Sequence, residues 1–392
     1  SKLGLQAALE KRQMWNQMRM NPTDLADLSA ATLTFLMNGT TPAGNWSGLF
    51  QRGDRVRLRF INAASNSFYD VRIPGLKLTV IQADGQDVEP VTVDEFRFGP
   101  GETYDVMVEP QDDAYTIFAQ SMERSGYARG TLAVQQGLIA PVPEPDPPEW
   151  LTMKDMMGAM GGGAMGHDMM KMDSMGQTKM DHSQMSGGMA MDHSMHGMQQ
   201  GSENPLAKPS STIRHARTEY GASVDQRVDT PSTNLDDPGI GLRNLSQRGL
   251  RPQGHRVLTL ADLKSIDGVL DDRRPPAREL ELHLTGNMER YSWSFDGLEF
   301  GKSTPVSLRH NERVRIILQN DTMMTHPMHL HGMWSELETD QGELRVRRHT
   351  IPVQPAQRIS YLTTPHDLGR WAWHCHLLFH MDAGMFREVV VS

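Results

Sequence analysis

The 392-residue sequence predicts an all-β chain: two β-sandwiches joined by a long, Met-rich, largely disordered linker. Three observations carry this. Short runs alternate apolar and polar side chains and are bounded by Gly, Pro, Asn and Asp, the signature of half-buried strands and turns. The pattern occurs twice, with matching segments. Between the two occurrences it stops for more than a hundred residues.

Residues 1–28 form a leading segment in which Leu3 to about Met20 reads as a short amphipathic helix ended by Asn21-Pro22. Residues 29–136 form the first β domain. Val56, Leu58 and Phe60 alternate with Arg55, Arg57 and Arg59, and further strand-like runs cover Leu76–Ile81, Tyr104–Val108 and Tyr115–Ala119. Residues 137–250 form the linker: a Pro-rich stretch, Pro141–Pro148, then a Met/Gly/His/Asp tract, then a polar stretch. Such compositions bury too little apolar surface to offset the entropy of ordering. Residues 251–392 form the second β domain.

The two domains read as a duplication. Gly53–Asn62 parallels Asn311–Asn320, and Phe35–Gly39 parallels Trp293–Gly297. The same register sets Phe68, Val71 and Ile73 opposite His326, His329 and His331. Histidines replace apolar side chains only in the second copy, so the chemistry belongs there.

Bulk properties exclude some functions. A formal charge of −9 argues against nucleic-acid binding, which needs a basic stripe. No apolar run approaches the roughly 20 residues of a membrane span. The start at Ser1-Lys2-Leu3-Gly4 carries no signal peptide, so the chain reads as processed or cut from something longer. A single cysteine, Cys375, rules out an internal disulfide.

Two clusters carry the chemistry: His326-Pro327-Met328-His329-Leu330-His331-Gly332, and the run from His374-Cys375-His376 through His380 to Met385. Alternate residues of a strand share a face. His329 and His331 therefore point one way, as do His374 and His376, while Cys375 points the other. That builds two metal sites back to back, one offering a thiolate and the other only imidazoles. Two His, one Cys and a weak axial Met are the ligands of a blue-copper site, and His326, Cys375, His380 and Met385 supply them. Cys375 is bonded to neighbours that face the second site, which gives an electron a short through-bond path. His215, His255, His283, His310, His349 and His366 are expected to be ordinary core or surface histidines.

These clusters resemble the C-terminal signature of multicopper oxidases, the family of laccases and cuprous oxidases. Together with the Met-rich insert, the resemblance is closest to the periplasmic copper-resistance members. It implies two cupredoxin-like Greek-key domains, corresponding to the middle and C-terminal domains of a three-domain enzyme. It implies type 1 copper at His326, Cys375, His380 and Met385, type 2 copper at His329, and type 3 copper at His331, His374 and His376. The implied activity is oxidation of Cu(I) or phenolic substrates at type 1 copper, with electrons passing through Cys375, His374 and His376 to a trinuclear cluster that reduces dioxygen to water. Up to four copper ions serve the complete enzyme, and a periplasmic location is implied. The family also needs two further His-X-His motifs from an N-terminal cupredoxin domain. No His precedes His167 here, so the partner expected is that missing domain. A non-catalytic copper-binding or electron-transfer module is the alternative.

The Met-rich tract from Met153 to Met198 holds more than half of the 28 methionines. Met156, Met157, Met160, Met165, His167, Met169, Met170, His182, His193 and His196 offer thioether and imidazole ligands for Cu(I) capture.

Overall fold

The structure is a computed structural model that describes residues 25–158, 206–266 and 268–392. The leading segment up to residue 24 and most of the Met-rich tract, from Met160 through His196, lie outside the described residues.

The first domain holds β1 (Trp46–Leu49), β2 (Val56–Ile61), β3 (Tyr69–Arg72), β4 (Leu78–Ala83), β5 (Gln86–Val93), β6 (Glu95–Phe98), β7 (Thr103–Val108), β8 (Ala114–Ser121) and β9 (Tyr127–Ala133). The second holds β10 (Arg278–Asn287), β11 (Ser292–Phe295), β12 (Val306–Leu308), β13 (Val314–Asn320), β14 (His326–Leu330), β15 (Ser335–Glu338), β16 (Leu344–Arg348), β17 (Thr350–Val353), β18 (Arg358–Thr363), β19 (Gly369–Cys375) and β20 (Phe386–Val391). One sheet of the first domain runs β1-β9-β8-β3-β6, and its counterpart runs β12-β20-β19-β14-β17. The facing sheets run β2-β7-β4-β5 and β11-β10-β13-β18-β15-β16, so the second domain repeats the first and adds the β10–β11 hairpin. The chain is mostly β and forms cupredoxin-like domains.

Individual residues explain why the copies match. Asn62 and Asn320 end equivalent strands, and each side chain pins the loop that follows. Asn62 donates to the Ser67 and Phe98 carbonyls and accepts from the Ala64 N–H. Asn320 donates to the Met324 and Val353 carbonyls and accepts from the Thr322 N–H. Each buried amide thus makes at least three bonds that water can no longer offer. Asn38-Gly39 and Asp296-Gly297 turn equivalent hairpins with positive φ at both positions, 48° and 74° in one and 52° and 74° in the other. Two consecutive positive φ values are what a tight hairpin turn demands of such dipeptides.

The linker reading is corrected over its two flanks. Leu151, Met156, Val228, Leu235, Ile240, Leu242 and Leu245 are all buried. Arg251 donates to both Glu95 and Asp146 at 2.9 and 2.6 Å, tying the flanks to the first domain. Composition predicted a tract without a core of its own. Among its described residues, Leu151, Met156, Leu235 and Ile240 are buried in one cluster with the core residues of the two sandwiches.

The two domains meet at a buried ion cluster. The Arg348 guanidinium is fully buried and contacts Asp84 at 2.7 Å, Glu102 at 2.8 Å and the Tyr104 hydroxyl at 2.9 Å. Asp84 also accepts from the His349 and Thr350 N–H groups. Burial pushes the Glu102 carboxyl up to about 7 even beside Arg348. This clamp fixes the first domain against β16 and β17, directly beside the histidine-bearing strand β14.

Candidate metal centre

β14 and β19 are antiparallel neighbours, with Met328 opposite Cys375 and His329 opposite His374. The pleat sends Cys375 to one side of β19 and His374 to the other. His380 comes from the short helix Leu378–Asp382 that follows β19.

On the Cys375 side, the thiol Sγ lies 3.5 Å from His326 Nδ1 and 3.8 Å from His380 Nδ1, and the two nitrogens are 3.1 Å apart. All three side chains are fully buried. A point equidistant from three atoms so spaced lies about 2.0 Å from each, close to the length of a metal–nitrogen bond. Met385 is also fully buried. Its N–H donates to the His380 carbonyl at 2.9 Å, and its carbonyl accepts from the Cys375 N–H at 3.1 Å. The backbone therefore gathers all four expected residues.

Outer contacts orient the imidazoles. Thr322 Oγ1 donates to Asn320 Oδ1 and lies 2.7 Å from His326 Nε2. That arrangement places a proton on Nε2 and leaves the Nδ1 lone pair facing the thiol, the usual tautomer control at a metal-bound imidazole. The His380 ring stacks on Trp293 at 3.9 Å. Asp27 Oδ2 lies 2.9 Å from His380 Nε2, close in distance but off the direction of a ring N–H. Burial lowers the proton affinity of His326, and the neighbouring His380 lowers it further. Burial likewise holds His380 down, opposed by Asp27. Burial also pushes the Cys375 thiol well up, so a bound cation is what would hold it as thiolate. Two neutral imidazoles and a buried thiol around one point fit a copper ion. The set His326, Cys375 and His380 resembles a type 1 copper site.

On the opposite side, His331 Nε2 and His374 Nε2 are 3.0 Å apart. The rings of His329 and His331 lie 4.4 Å apart, and those of His374 and His376 5.6 Å. His329 Nδ1 donates to the His349 carbonyl at 2.6 Å, and His374 Nδ1 to the Cys375 carbonyl at 2.9 Å. Both bonds leave Nε2 free as a ligand atom. Burial brings His329 and His374 down to about 4 and lowers His331 and His376 as well. All four are therefore neutral near pH 7. His331 is exposed, so this face is open on one side.

The sequence motifs singled out His326, His329, His331, His374, His376 and His380, and the fold brings these rings together on the two faces. The motifs carried no signal for Thr322, Trp293, Asp27 or His349, which touch those residues without belonging to a motif. Of the Met-tract candidates, Met156 is corrected. It is fully buried in the core on the helix Met153–Met157 and offers no thioether to solvent, while Met157 is half-buried against the same core. Met160, Met165, His167, Met169, Met170, His182, His193 and His196 lie outside the described residues.

Two family models, both described as multicopper oxidase, match residues 10–137 and 273–392. The chain belongs to the multicopper oxidase family. It is 52% identical to copper resistance protein A of Escherichia coli over 99% of its own length and 64% of that protein. The same figures hold against copper resistance protein A of Pseudomonas syringae pv. tomato. The chain thus spans under two thirds of the curated relatives it matches. Among solved structures it is similar in fold to Fet3p, a multicopper oxidase that functions in iron import, with a TM-score of 0.51, 13% identity, and coverage of 91% of this chain and 58% of that one. A laccase mutant from B. aclada gives 0.50 at 19% identity, covering 93% and 56%. Among the described residues, no helix is long and apolar enough to cross a membrane.

Proposed function

We propose that this chain supplies the electron-accepting site and half of the oxygen-reducing site of a copper-resistance oxidase acting on Cu(I) or phenolic substrates in the periplasm. The observation that carries the reading is the strand β19, whose consecutive residues serve opposite faces. Cys375 faces His326 and His380, and His374 faces His331. When bound, copper supplies the one-electron couple and the capacity to reduce dioxygen to water. The protein holds neutral imidazoles at fixed tautomers, excludes water from Cys375 and joins the two faces by covalent bonds.

His326, Cys375 and His380 would hold type 1 copper, with Met385 as the weak axial donor. His329 would serve type 2 copper, and His331, His374 and His376 the type 3 pair. The open imidazole face leaves room for further ligands, which we assign to the part of the longer relatives that this chain does not span. Oxygen uptake on Cu(I) by the full-length protein tests this. His374→Ala is expected to cut uptake at least a hundredfold while keeping the visible thiolate–copper band. Undiminished uptake would contradict the assignment and favour a non-catalytic copper-binding or electron-transfer module.

The tract 159–205 is proposed to raise the local Cu(I) concentration, an effective-concentration role suited to thioether and imidazole ligands. The chain is held on both sides of it: the Met156 and Met157 carbonyls accept from Gln226 and Thr230, and the Leu206 and Lys208 carbonyls accept from Arg315. Deletion of 159–205 is expected to raise the apparent KM for Cu(I) severalfold and to spare the blue colour. Unchanged Cu(I) kinetics and binding capacity would reduce the tract to a spacer.

A further inference from the structure

A second histidine–carboxylate cluster lies apart from both copper faces. His283 sits on β10, Asp321 follows β13, and His215 and Glu219 come from the segment that resumes after the Met-rich tract, around the turn Arg217–Tyr220. His215 Nδ1 lies 2.7 Å from Glu219 Oε2 and 3.5 Å from Asp321 Oδ2. His283 Nδ1 lies 3.2 Å from Glu219 Oε2 and 2.9 Å from Asp321 Oδ2. Both nitrogens thus face the same two oxygens. Four ligands around a tetrahedral ion with bonds of about 2.0–2.2 Å would stand about 3.3–3.6 Å apart, and the four contacts found approach that spacing.

The atoms behind three of these four are engaged elsewhere, whereas His215 Nε2 makes no hydrogen bond among the described residues. His283 Nε2 lies 3.1 Å from Glu281 Oε1, which also accepts from Arg358 at 2.6 Å and from the Arg214 N–H at 3.1 Å. Asp321 Oδ1 accepts from the Val228 N–H and from Gln319 Nε2. Glu219 Oε1 accepts from the Ala216 N–H at 2.7 Å. A carboxylate behind the imidazole and hydrogen bonds behind each ligating carboxylate are how proteins aim metal ligands. Charge points the same way. The Glu219 and Asp321 side chains are fully buried, and among the described residues neither pairs with a lysine or arginine. Two buried carboxylates facing imidazoles are balanced either by a metal cation between them or by a proton on an imidazole. Burial alone would lower His283, but its bonds to Asp321, Glu219 and Glu281 push it up to about 11, so the two states compete for the same place.

We propose that His215, Glu219, His283 and Asp321 bind one divalent ion of the zinc or copper(II) class, a clasp that fixes the returning end of the Met-rich segment to the copper-binding domain. Two imidazoles and two carboxylates suit ions of this borderline class. Asp321 immediately precedes Thr322, the partner of His326, so the clasp also braces the loop that leads to the thiolate site.

The test uses the metal-stripped full chain, exposed to Zn2+ alone or to Cu2+ alone, desalted and counted by elemental mass spectrometry. His215→Gln and Glu219→Gln are compared with wild type, and each variant is confirmed as folded by its visible thiolate–copper band after copper loading. The expected result is one fewer zinc, or one fewer copper(II), per chain in both variants, and a zinc-dependent rise in melting temperature that only wild type shows. Equimolar competition then assigns the ion. Equal metal counts in wild type and both folded variants would overturn the proposal and leave protons as the cations that hold the cluster. Should His215→Gln fail to give the band, Glu219→Gln and a Co2+ ligand-field spectrum of wild type, with nitrogen and oxygen donors and no added sulfur band, decide it.

Discussion

The chemistry at Cys375 depends on residues that never touch the thiol. Thr322 spends its proton on Asn320 and so accepts from His326 Nε2, which turns Nδ1 toward the sulfur. Thr322→Val keeps the shape, removes the acceptor and frees the imidazole to take the wrong tautomer. Copper affinity at this site is expected to fall by about 10–100-fold, the usual cost of losing such an outer contact. Competition titration against a chelator, followed at the visible band, measures it, and an unchanged affinity would show that packing against Trp293 alone fixes the ring. His326, Cys375 and His380 were legible in the sequence because their residue types and spacing are themselves the chemistry. Thr322, Trp293 and Asp27 were not. A threonine four residues before a histidine carries no signal until Asn320 bends the loop around it.

At the scale of elements, the alternation of His374, Cys375 and His376 was enough to predict two faces; β19 delivers His374 and Cys375 to opposite sides, and His376 follows just beyond its end. The linker was harder. Leu235 and Ile240 lie in a run dominated by Asn, Asp, Gly and Pro, with too few apolar neighbours to mark a strand or a helix, so no local pattern reveals that they join the common core. The contact between the domains was equally hidden. The loop after β6 carries Gly101 at a φ of 83°, and a Cβ built there would lie 2.5 Å from Cδ2 and 2.8 Å from Cγ of His376. Glycine is needed for both the conformation and the close approach. Gly101→Ala is expected to displace His376 and to cost about 1–2 kcal/mol in backbone strain. The blue band should survive while copper bound on the imidazole face drops, read as total copper against absorbance. Loss of both in equal measure would mean that the two faces are not independent.

Over the whole molecule, duplication explains the division of labour. The copies share sheet order, the Asn62 and Asn320 pins and the tight hairpin turns, yet only one carries ligands. The register that pairs Met328 with Cys375 pairs Asp70 with Gln120 in the first domain. There the position of the thiol is taken by an amide bonded to Asp146. The first domain serves instead as a wall. Arg348, buried among Asp84, Glu102 and Tyr104, locks that wall beside β14, and the Gly101 loop seats His376. The sequence revealed the repeat and the missing ligands, but not the clamp, because Arg348 lies 264 positions from Asp84. The central claim is that Cys375 holds the copper that receives electrons. It is tested most directly by the visible absorption of the copper-loaded chain, wild type against Cys375→Ser. An intense thiolate-to-copper band in wild type, absent in the variant while its fold is retained, is the result expected. The same band persisting in Cys375→Ser, or no band in copper-loaded wild type, would contradict it.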